Sequence, residues 1–134
     1  MSMSDIKVSR ILFEFETIIK DHSFYLDELQ NMIEIPEFDV EKAERLIKRM
    51  RRVRRDLERG INVITQNVES MSETNMKEEA LGILNYLMTV GLKEEKEMLM
   101  QLKDSLTKRG IQNDLEKDVD QIQRILNNIS RFSF

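Results

Sequence analysis

The sequence predicts an all-α protein, an antiparallel up-and-down four-helix bundle forming one domain over residues 1–134. Three observations predict it. Apolar residues recur at alternating steps of three and four along most of the chain, the period of a helix with one buried face. No stretch of useful length alternates apolar and polar residues as a half-buried strand does. Breakers are scarce, with one proline and four glycines, too few for a turn-rich sandwich or barrel.

The first helix is expected over residues 5–34. Its stripe is Val8, Ile11/Leu12, Phe15, Ile18/Ile19, Tyr25/Leu26, Leu29 and Met32/Ile33, with His22 standing at one of the apolar positions. Ser4 is the expected N-cap, and Pro36 ends the helix because the residue before a proline is pushed away from helical torsions. The second helix is expected over 40–71, capped by Asp39, with Glu41 in the first turn where the helix dipole favours an acid. Its stripe runs Ala43, Leu46/Ile47, Met50, Val53, Leu57, Ile61, Ile64, Val68, Met71 and passes through Gly60. That glycine costs about 1 kcal/mol relative to alanine and reads as a weak spot.

Residues 70–75 form a polar loop, and Asn75 followed by Glu78 resembles a capping box. The third helix is expected over 76–109, on the stripe Ala80/Leu81, Leu84, Leu87/Met88, Leu92, Met98/Leu99, Leu102 and Leu106. It falters at Lys93–Glu97, where Glu94 and Glu95 occupy core positions just after Gly91. The reading adopted is one long helix kinked near Gly91, with a break there as the alternative, because a single glycine is the only turn signal. Gly110, after Lys108 and Arg109, suits the position that follows a helix C-terminus. The fourth helix, over 112–132, carries Leu115, Val119, Ile122, Ile125/Leu126, Ile129 and Phe132.

Composition narrows function mainly by exclusion. With no cysteine there is no disulfide framework, thiolate zinc site, iron–sulfur cluster or thiol nucleophile. One histidine is too few for most histidine metal sites, and the paired Glu-x-x-His motifs of a di-iron bundle are missing. His22 reads as a core histidine with a hydrogen-bond partner. Its type titrates near pH ~6.5, so it reads also as a pH-sensitive packing element. There is no glycine-rich phosphate loop or nucleophile elbow. The expectation is therefore a non-enzymatic protein with no cofactor, metal or small-molecule substrate. No run approaches the roughly 18 to 20 apolar residues of a membrane span. The N-terminal residues lack the pattern of a secretory signal, so a cytoplasmic protein away from membranes is expected.

Charge is the most distinctive feature. From Glu14 to Glu44 there are ten acids against two bases, and from Lys42 to Arg59 nine bases against three acids. The net charge of −4 averages an acidic helix with a basic one. Arg45, Lys48, Arg49, Arg51, Arg52, Arg54, Arg55 and Arg59 are the candidate anion- or nucleic-acid-binding residues, since arginine's planar fork suits phosphate oxygens. The competing reading is a charge zipper in which Glu14, Asp21 and Glu28 face these bases across a hairpin, and this is the expectation adopted. The lack of aromatic residues between Phe38 and Tyr86 argues against single-strand stacking.

A second contact surface is also expected. The last helix is shorter than the others and leaves part of their stripes uncovered. Ile6 and Phe13 lie seven residues apart on the face of the first helix opposite its main stripe. With Phe132 and Phe134 they are the candidate partner interface, unless Ile6 and Phe13 tuck under those two phenylalanines. The function this favours is an interaction module acting through self-association or a partner protein. The alternative is a nucleic-acid- or polyanion-binding accessory protein using the basic face of the second helix.

Overall fold

In the computed structural model, which describes residues 1–35, 37 and 39–132, the chain is an all-α helical bundle, with no strand among the described residues. The helices are α1 (Met3–Glu34), α2 (Val40–Asn67), α3 (Thr74–Tyr86), α4 (Leu92–Lys108) and α5 (Leu115–Ile129). A 3-10 turn, Val68–Ser70, ends α2, and a π-helical turn, Leu87–Gly91, joins α3 to α4. The hairpin position Pro36 and the interface candidate Phe134 lie outside the described residues.

The N-cap of α1 is Ser2, two residues before the expected Ser4. The Ser2 hydroxyl accepts from the Asp5 amide at 3.0 Å, and the Asp5 carboxylate accepts from the Ser2 amide at 2.9 Å. This capping box satisfies two donors that a helix start otherwise leaves open. Asp5 also accepts from the Ser72 hydroxyl at 2.6 Å and from the amides of Ser72 and Glu73 at 3.0 and 3.2 Å. The bond from Ser72, with those from Ser2 and Glu73, holds its carboxyl well below the usual carboxylate range against the opposing effect of burial. Ser4 bonds instead to Ser70, at 2.6 Å between hydroxyl oxygens. The start of α1 is thereby tied to the connection between α2 and α3. There Asp5 takes the Glu73 amide, α3 begins at Thr74 without a side-chain cap bond, and the expected box of Asn75 and Glu78 does not form.

Asp39 caps α2 as expected, accepting from the Lys42 amide at 3.2 Å. Gly60 is no weak spot: a Cβ there would lie 2.2 Å from a ring carbon of Phe15, so the missing side chain seats that ring. The third run is helical from Thr74 to Lys108. Its buried positions Leu87, Gly91, Glu95 and Leu99 follow one another in unbroken steps of four. In a pure α-helix each such step drifts the stripe by about 40°. The wide π-turn, where the Leu92 amide bonds back to the Leu87 carbonyl, takes up that drift.

Gly110 has φ 72°. With Gly110 N–H bonding the Thr107 carbonyl and Ile111 N–H the Leu106 carbonyl, it closes α4 in a Schellman motif. The fourth expected helix is trimmed at both ends to Leu115–Ile129. At its start the Asn113 side chain bonds the Ile111 carbonyl and the Leu115 amide. At its end the Phe132 amide bonds the Ile129 carbonyl in a turn. One core cluster draws on all five helices, from Val8, Phe15 and Leu29 through Leu57 and Ile61 to Leu84, Leu99, Leu102 and Ile122.

Candidate functional site

Four polar side chains stand inside this core: His22 at 1% exposure, Arg54 at 1%, Glu95 at 0% and Asp118 at 4%. Each occupies an apolar register position. Arg54 lies between Met50 and Leu57, Glu95 between Leu92 and Leu99, and Asp118 between Leu115 and Ile122. Arg54 Nε donates to Glu95 Oε2 at 2.8 Å. Its Nη1 donates to Asp118 Oδ1 at 2.7 Å and to Gln121 Oε1 at 3.0 Å. Its Nη2 comes within 2.6 Å of Glu95 Oε2 but has no well-directed hydrogen-bond partner. His22 Nε2 meets the other Glu95 oxygen at 2.7 Å. At the surface end, Arg51 clasps Asp118 with both prongs, Nε to Oδ1 at 2.9 Å and Nη2 to Oδ2 at 2.8 Å.

This chain of contacts crosses the bundle from α1 through α4 and α2 to α5. Burial by itself pushes the Asp118 carboxyl up, but the hydrogen bonds and charges of Arg51 and Arg54 outweigh it and hold the carboxyl below its usual range. Burial also works against the charge on Arg54, yet Glu95 and Asp118 keep its guanidinium more firmly protonated than usual. Two arginines balance two carboxylates. Removing one member would strand a buried charge, so the arrangement fixes how the helices dock. Among the described residues no group of three or more acidic, histidine or cysteine side chains is placed to hold a metal ion.

The structure divides the eight basic candidates. Arg54 is wholly internal and Arg51 is committed to Asp118. Arg59 pairs with Asp56 at 3.3 Å one turn earlier on the same helix. Arg45, Lys48, Arg49, Arg52 and Arg55 are exposed, and among the described residues their side chains form no ion pair or hydrogen bond. Among the described residues the expected zipper is absent: none of Glu14, Asp21 and Glu28 pairs with α2. Those acids lie on exposed or flanking positions of α1, while α2 turns its inner arginines toward α4 and α5. The five open bases form a ridge about 15 Å long between Arg45 and Arg55.

The interface candidates also separate. Ile6 is 44% and Phe13 79% exposed, so neither is buried. Phe132 is half-buried and packs on the core. Sequence reading missed Phe24, 58% exposed. It lies eleven residues beyond Phe13, so Ile6, Phe13 and Phe24 fall within about 20° of one line along α1. An eleven-residue interval is three helical turns, which was the available signal. No described helix is long and apolar enough to cross a membrane. Comparison with protein-family models, curated proteins and solved structures found no match.

Proposed function

We propose that this chain is a non-enzymatic interaction module whose contact surface is the outer face of α1. The observation that carries the reading is the line of Ile6, Phe13 and Phe24, three large apolar side chains left open on one helix face. Isolated exposed apolar residues are ordinary, but an aligned set marks a face that gains by being covered. Light scattering after gel filtration of the wild type and of Phe13→Glu tests it. The expected result is a wild type larger than a monomer and a folded, monomeric Phe13→Glu. If the wild type is a monomer, covering by a different protein remains, and a pull-down lost in Phe13→Glu is then required.

A second reading, binding of a polyanion such as nucleic acid, is favoured by the open ridge of Arg45, Lys48, Arg49, Arg52 and Arg55 on α2. It predicts retention of a DNA or RNA duplex that weakens steeply with salt, as counterion release requires. Substituting Arg52→Glu with Arg55→Glu abolishes that retention. No retention at about 50 mM salt removes the reading.

A further inference from the structure

We infer that the outer face of α1 is covered by the α1 of a second copy of this chain, packed antiparallel about a two-fold axis level with residue 15. The inference rests on the proposed role of that face and commits it to one occupant and one direction. Two observations support it, one of charge and one of shape.

The exposed charges of α1 are polarised along its length. Up to Phe13 the exposed charged residues are Lys7 and Arg10, while Glu14, Glu16, Asp21, Asp27 and Glu34, against Lys20 alone, occupy exposed positions of the rest. Two parallel copies would set acidic half against acidic half. Two antiparallel copies set basic half against acidic half and oppose the helix dipoles. In the register that places Ile6 opposite the other copy's Phe24, Arg10 is level with the other copy's Lys20, which lies on the far flank, and one residue, about 1.5 Å along the axis, from its Asp21, on the flank that faces its own equivalent across an antiparallel pair. The two-fold repeats that ion pair. Within the chain neither Arg10 nor Asp21 has a side-chain partner among the described residues.

Shape agrees with this register. Phe13 of one copy falls over Thr17 of the other. Thr17 and Phe13 both line a groove of about 430 Å³ between α1 and α2, whose walls include Ile18, Arg59 and Gly60. Each copy therefore offers an aromatic ring and, beside it, a recess open to the other copy's ring, the self-complementarity a two-fold contact needs.

The chain has no cysteine, so single cysteines report the geometry directly. Ile6→Cys and Phe24→Cys variants are oxidised separately and as a mixture. Expected is a covalent dimer in the mixture alone, since each cysteine meets only its opposite number at bonding distance. Covalent dimer from either variant by itself means parallel packing; that overturns the inference and leaves the α1 face as a contact surface. A dimeric wild type that crosslinks in neither arrangement overturns the inference, and if Phe13→Glu stays dimeric the α1 face falls too. A monomeric wild type also overturns the inference, and the pull-down described above then decides the fate of the face. As an independent arm, Arg10→Asp and Asp21→Arg each weaken dimerisation by about fivefold, and the double exchange restores it. Failure of the double exchange to restore it removes the ion pair, and with it the argument for direction.

Discussion

Arg54 and Arg55 are neighbours in sequence and opposites in circumstance. Arg54 is 1% exposed and bound by Glu95, Asp118 and Gln121. Arg55 stands in solvent with no side-chain partner among the described residues. The same contrast runs along α2, with Arg51 and Arg54 on the inner side and Arg45, Lys48, Arg49, Arg52 and Arg55 on the outer. One residue type therefore performs two jobs on one helix. Inside, charge selects which helix docks where, because a buried guanidinium tolerates few alternative partners. Outside, charge has no structural task within the chain and is available for an external anion.

The largest expected effect is at the inner face. Arg54→Ala leaves Glu95 and Asp118 buried without their counter-charge and should cost about 3–5 kcal/mol, read as a fall in the urea midpoint. A loss under 1 kcal/mol would mean that water replaces the guanidinium and that the two faces differ less than their burial implies. Next is the apolar part of that face. Gly60→Ala drives a methyl into the Phe15 ring and should cost about 1–3 kcal/mol by overpacking. Gly82→Ala, where a Cβ meets nothing within 4 Å, should stabilise by about 0.5–1 kcal/mol.

Acid provides a further test of the inner face. The Asp118 carboxyl titrates lower in the folded protein than in the unfolded chain, so the unfolded chain takes up its proton first. The stability it contributes is complete above the unfolded value, about pH 4, and is lost as pH falls through the folded one. Asp118→Asn should therefore lower stability at neutral pH and flatten the acid limb of a stability–pH curve. An unchanged acid limb would assign that limb to Asp5, whose carboxyl is shifted in the same direction. The smallest effect belongs to the outer face. Arg52→Ala and Arg55→Ala should each change stability by less than about 0.5 kcal/mol. A larger loss at either would erase the distinction between the two faces.

The helices were legible because their stripes are long and regular: those of Leu26 to Met32 and Met50 to Ile64 mark the buried faces directly. Ends were less legible, since they depend on distant partners. Ser2 outcompetes Ser4 because only Ser2 has an acid three residues on, and that acid also serves the α2–α3 connection. The ionic seam was half legible. Glu95 stood out as an acid at a core position, and His22 as a histidine on a stripe. Arg54 was hidden among similar residues, and its partners lie 41 and 64 positions away. No local pattern encodes such pairings. The zipper expectation failed for the same reason: it matched the nearest acids by spacing, whereas packing brought α4 and α5 to the arginines.

The π-turn at Leu87–Gly91 has a consequence for chain length. A π-turn holds one residue more than the α-turn it replaces. Removing Thr89, which is exposed and whose hydroxyl donates to the Asn85 carbonyl at 2.8 Å, would let the segment close as ordinary α-helix. Leu84 on one side and Glu95 on the other would keep their inward bearings. At this point the bundle should accept a deletion, which in the regular α-helix around Gly60 would instead turn every following side chain by about 100°.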